Sequence, residues 1–159
     1  SLIKKSAKAI IIAVTAALRL AAFTAVFSRT LHLTLADAGT GKVYTKYAVS
    51  EGDTFSVTFV HSVNKTPVTD VYEVRGKEIY LVRTIYYGFG AGVPTEIEAG
   101  QSLTYGDDGE MIISGMDMAV PHLVHVSRTV SDHVLNISGE DISLREMCGR
   151  NSKVLFSVR

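Results

Sequence analysis

Three stretches of the 159-residue chain gather side chains that can do chemistry. The first is His61-Ser62-Val63-Asn64-Lys65-Thr66-Pro67-Val68-Thr69-Asp70. An imidazole, hydroxyls, an amine and a carboxylate lie close together there, enough for a nucleophile and base, a metal ligand set, or a cradle for a small anion. Pro67 holds Thr66 extended, so the connection reads as ordered. The second is Gly88-Phe89-Gly90-Ala91-Gly92-Val93-Pro94. Glycine at alternate positions opens backbone conformations closed to other residues and lets amide N–H groups face a ligand. The third is Pro121-His122-Leu123-Val124-His125, with His133 following in Ser131-Asp132-His133.

Each stretch also has a plainer reading. His61 and Ser62 are adjacent, and adjacent strand residues point to opposite faces; no nucleophile-elbow motif accompanies them. The glycine-alternating loop lacks the order of a phosphate-binding P-loop, so a bulge or wide turn is the default. His122 and His125 would share a face on a helix but not on a strand, where His125 belongs. Two functional readings survive. One is a metal-dependent or acid–base enzyme using His61, Asp70 and His133. The other is a small-anion module in which Lys65 and the Gly90–Gly92 amides hold a carboxylate. The structural alternative is a hydrogen-bonded cluster.

The elements that must position these residues are strands. Phe55, Val57, Phe59 and His61 alternate with Ser56, Thr58 and Val60, and the same period runs through 68–74, 79–87, 111–114, 123–127, 134–138 and 154–158. Weaker candidates are 31–36, 43–49, 102–105 and 142–144. Gly39–Gly41, Gly76, Gly106–Gly109 and Ser138–Gly139 punctuate them as turns. Short strands without a convincing helix predict an all-β antiparallel sandwich or barrel over 31–159.

Composition narrows the class. A hydrophobic content of 47% excludes intrinsic disorder, and one cysteine, Cys148, excludes a disulfide framework or a zinc finger. No cofactor motif is present. The formal charge is zero, with no basic stripe for nucleic acid, but it is unevenly distributed. Residues 1–30 carry Lys4, Lys5, Lys8, Arg19 and Arg29 and no acid, so the remainder is net acidic.

Between Ala9 and Phe27 only Arg19 interrupts an apolar run, which as a helix would span roughly 28 Å, a bilayer's hydrocarbon thickness. Lysines before it place the N-terminus in the cytoplasm and the β domain outside, as a single-pass inner-membrane protein. A cleaved signal peptide fits less well, because Val14-Thr15-Ala16 leaves too short an apolar stretch before it. Ala9, Ala13, Ala17, Ala21 and Ala25 form a small-residue ridge along which another membrane helix can approach. Arg19 projects away from that ridge, and at about 2.5–3.5 kcal/mol for mid-membrane insertion it calls for a partner or a snorkelling route.

HSVNKTPVTDVYEV, YGFGAGVP, GMDMAVPHLV and VSDHVL, in this order, resemble the blocks of the domain-of-unknown-function family 1850 across about residues 50–140. Val93 stands where that family usually has leucine, and Tyr87–Gly88 replaces a small polar residue. The family has no established activity. The resemblance implies an association with the fused permease of TAXI-type TRAP transporters, which take up small organic anions. The expectation is therefore a membrane-anchored, extracytoplasmic, non-catalytic accessory subunit. Its contact residues would be His61, Ser62, Lys65, Thr66, Asp70, Phe89, Gly90, Gly92, Pro94 and His133, with the alanine ridge and Arg19 meeting the permease.

Overall fold

The computed structural model describes residues 30–63, 65–88, 90, 93–94, 96–127 and 131–159. The apolar segment bearing Ala9, Ala13, Ala17, Arg19, Ala21 and Ala25 lies outside the described residues, as do Phe89 and Gly92. Among the described residues no helix is long and apolar enough to cross a membrane.

Alternation of apolar and polar residues dictates strands, and the chain runs through β1 (Leu31–Asp37), β2 (Val43–Val49), β3 (Thr54–Val60), β4 (Pro67–Arg75), β5 (Glu78–Tyr86) and β6 (Ser102–Tyr105). It continues through β7 (Met111–Ala119), β8 (Leu123–Val126), β9 (His133–Ile137), β10 (Glu140–Ser143), the one-turn helix α1 (Leu144–Cys148) and β11 (Lys153–Val158). Neighbours pair antiparallel in two sheets, β2-β1-β11-β8 and β10-β9-β3-β4-β5-β7-β6. The all-β expectation thus resolves to a two-sheet sandwich. The strands weakest in the sequence, β1, β2, β6 and β10, all form.

Turn chemistry fixes the registers. Ser138 and Gly139, at φ 54° and 82°, make the two-residue β9–β10 turn, whose positive φ values match the right-handed strand twist. Asp37 closes the β1–β2 turn by accepting from the Thr40 amide at 2.7 Å and its hydroxyl at 2.8 Å. These bonds hold its carboxyl below the usual carboxylate range. No helix is expected at α1 from apolar periodicity, although Ser143-Leu144-Arg145-Glu146 has the spacing of a helix-capping pattern. Ser143 caps α1, accepting from the Glu146 amide at 3.0 Å, while Asp132 accepts hydrogen bonds from the Ser143 hydroxyl and from the Arg145 amide at 3.0 Å.

The core lies between the sheets. Leu33, Leu35, Leu123, Val154, Phe156 and Val158 of the smaller sheet face Phe55, Val57, Tyr72, Val74, Leu81 and Leu135 of the larger. Phe156 is 1% exposed and stacks on Phe55 at 5.9 Å between centroids, and Phe55 stacks on Tyr72 at 5.3 Å. Burying a side chain of that size contributes about 1.5–3 kcal/mol. Cys148 packs against this core from α1, where burial pushes its thiol up to about 11.

Strand β5 is irregular on both of its edges. Tyr72 pairs with Leu81 but Val71 pairs with Arg83, so Val82 is an extra residue in β5. The same point is bulged against β7, where Leu81 faces Met118 and Arg83 faces Ser114. Gly115 sits in that bulge at φ 77°, and a Cβ there would come within 2.4 Å of the Gly100 carbonyl oxygen. The extra residue reverses the phase of β5, turning Thr84 and Tyr86 inward in place of Arg83.

Candidate functional site

The inner face of β4 presents Val68, Asp70, Tyr72 and Val74 in alternation, which sets a carboxylate and a phenol among apolar side chains. The β5 bulge brings Thr84 opposite Asp70, and its hydroxyl donates to Asp70 Oδ1 at 2.7 Å. Tyr72 Oη lies 3.5 Å from Asp70 Oδ2 and 3.4 Å from His125 Nε2. His125 comes from β8, in the smaller sheet, and its Nδ1 is 3.0 Å from Nδ1 of His133 on β9. Thr84, Asp70, Tyr72, His125 and His133 therefore form one polar chain that crosses between the two sheets. Phe59 packs beside it, 6.1 Å from the His125 ring and 5.3 Å from the His133 ring, and Phe156 meets His125 edge-on at 5.5 Å.

Burial governs the charge states. The His125 imidazole is lowered to about 3, chiefly by desolvation and secondly by His133, so it is neutral at physiological pH. Desolvation raises the Asp70 carboxyl, opposed by the hydrogen bonds from Thr84 and Tyr72. Tyr72 and Tyr86 are both raised, first by burial and then by the Asp70 charge, and remain phenols.

The first two sequence blocks meet at one end of the larger sheet. His61 donates its amide to Thr66 O at 2.9 Å and accepts the Lys65 amide at 3.0 Å, closing the β3–β4 connection with Lys65 at φ 57°. The residue leaving β5, Gly88, lies against Thr66, where a Cβ would be 2.6 Å from Thr66 Cγ2. Tyr87 donates its amide to Pro67 O at 3.2 Å, and Val60 pairs with Pro67. Val60, Pro67 and Tyr87 thus lie side by side across three strands, all exposed, with exposed Val63 in the adjoining loop.

Of the expected site residues, Asp70 and His133 are joined, but through Tyr72 and His125. His61 is taken up locally, its Nδ1 3.4 Å from the Val63 amide. Among the described residues no three His, Cys, Asp or Glu side chains are grouped to hold a metal ion. Ser62, Lys65, Gly90 and Pro94 are exposed and Thr66 is half-buried against Gly88. The Lys65 amide is bonded to the His61 carbonyl. Tyr72, Thr84 and His125 were not among the expected site residues. The available signal was the pairing of Asp70 with Tyr72, and of Leu123 with His125, at strand spacing on a core face.

The model of the domain of unknown function DUF1850 matches residues 55–144. The chain belongs to this family. The DUF1850 match begins in β3 and ends at the start of α1, so it contains every member of the polar chain and both joined loops. Of the smaller sheet it includes only β8. No curated protein and no solved structure matches the chain.

Proposed function

We propose that this DUF1850 protein is a non-catalytic docking subunit, anchored by the 9–27 segment in the inner membrane with its β-sandwich outside. Its partner on this reading is the permease of a TAXI-type TRAP transporter for small organic anions. The observation that carries it is the joined loop surface. Two blocks separated by the β4–β5 hairpin meet at Thr66 and Gly88 beside the exposed row Val60, Pro67 and Tyr87. Tyr87 is an exposed aromatic side chain beside exposed apolar residues, and aromatic residues are enriched in protein-contact surfaces. The alanine ridge and Arg19 would add a second contact within the bilayer.

Co-purification of the intact protein from mild detergent tests the reading. The expected result is a stoichiometric permease partner, lost on Tyr87→Asp and weakened by Arg19→Leu. Recovery of the intact protein alone under conditions that preserve the permease would sink it.

A further inference from the structure

The polar chain between the sheets has a feature that docking does not use. From Asp70 to His133, the two middle groups Tyr72 and His125 are 4% and 7% exposed, whereas Asp70 and His133 themselves are half-buried. Donor inventory then fixes which atoms carry protons. A phenol has one proton and an ionised carboxylate can only accept. With Asp70 ionised, Tyr72 donates to Asp70 Oδ2, and its oxygen is left to accept from His125 Nε2–H. His125 Nδ1 is then the acceptor for His133 Nδ1–H. Every donor in the chain points toward Asp70, including the Thr84 hydroxyl.

We propose that Asp70, Tyr72, His125 and His133 form a proton relay that carries a proton between the half-buried carboxylate and His133 through the sandwich interior. In the inward stroke the Tyr72 proton passes to Asp70, the His125 Nε2 proton to Tyr72 Oη, and the His133 Nδ1 proton to His125 Nδ1. His133 takes one proton at Nε2. One proton has entered and one carboxyl has been protonated. Both imidazoles stay neutral, each having exchanged tautomers, and each hydrogen bond linking Asp70, Tyr72, His125 and His133 has reversed direction. Tyr72 Oη is placed for this. Its links at 3.5 and 3.4 Å are at the outer limit of hydrogen bonding, so a small shift of the phenol closes either one. The lowered basicity of His125 agrees with a group that passes a proton without storing charge.

The titratable groups around Asp70 among the described residues are Tyr72 on its own strand, Tyr86 on β5, His125 on β8 and His133 on β9. On β5 and β7 the nearer contacts are Thr84 and, through it, the Met116 sulfur at 3.7 Å, neither of which titrates. The relay requires neither docking nor the permease.

Nitrogen NMR of the intact, histidine-labelled protein tests it, with His125 assigned by the signal lost in His125→Gln. As Asp70 titrates, the protonated nitrogen of His125 should move from Nε2 to Nδ1. Asp70→Asn, whose amide stands in for the protonated carboxyl, should hold the Nδ1–H tautomer at every pH. Thr84→Val removes a bond that favours the ionised carboxylate, so it should shift the midpoint upward. Tyr72→Phe should uncouple His125 from Asp70. The same protonated nitrogen in the wild type and in Asp70→Asn, or an exchange unchanged by both Tyr72→Phe and Thr84→Val, would overturn the relay.

Discussion

Charging His125 would place a cation among Phe59, Phe156 and Tyr72, beside a second imidazole 3.0 Å away. Its ionisation is therefore a stability term with a definite sign. The folded-state value lies near 3 against an ordinary 6.5, so the contribution is intact above 6.5 and is lost as the pH falls toward 3. By about pH 4.5 the loss amounts to about 3 kcal/mol. Asp70 acts in the opposite sense, because its raised carboxyl favours the fold more as it protonates. Urea unfolding across this range should show His125→Gln with a shallower acid slope than the wild type and Asp70→Asn with a steeper one. Equal slopes in all three would contradict these charge states. At this scale Asp70 and His133 were legible in the sequence because their chemistry and strand placement could be read directly. Tyr72 and His125 share strand spacing with Asp70 and Leu123, but nothing in a linear pattern says that β8 lies in the other sheet and sets its imidazole over β4.

The elements show why Thr84 was equally hidden. Simple alternation through β5 would group Leu81 with Arg83 and Ile85, which turns Thr84 outward. The extra residue Val82 reverses that phase, and the matching irregularity in β7 is held by Gly115 at positive φ against the Gly100 carbonyl. Arg75, bonded to Glu73 at 2.7 Å and to Asp117, ties β4 to the same part of β7, with its guanidinium 4.4 Å over the Tyr80 ring. Gly115→Ala should cost about 2 kcal/mol or more, from strain and the close carbonyl together. It should also loosen the Thr84–Asp70 bond, lowering the unfolding midpoint and raising the Asp70 titration point. A Gly115→Ala protein of unchanged stability would mean that the bulge is not what sets the phase. Strand existence was readable from period-two patterning. Bulges were not, because each depends on pairing partners distant in sequence, whereas α1 is a single turn too short for a helical period to show.

For the whole molecule, the sequence pointed to an all-β domain but not to how its strands divide. Four strands drawn from both ends of the domain and its middle form the smaller sheet, and the DUF1850 match leaves β1, β2 and β11 outside it. Those strands supply Leu33, Leu35, Val154, Phe156 and Val158 to the core, so the matched portion alone lacks most of its hydrophobic partner. Phe156→Ala should destabilise the domain by about 3–5 kcal/mol, read from chemical denaturation, and residues 55–144 alone should not fold cooperatively. With the core sealed between the sheets, the joined loops are the face proposed to meet the permease. Photocrosslinking in intact membranes probes that contact, with a reactive residue at position 87 in the loop surface and a control at exposed Val43 on β2. A permease adduct is expected from position 87 and none from position 43. Adducts from position 43 alone, or from neither position while the permease is present, would contradict docking through the joined loops.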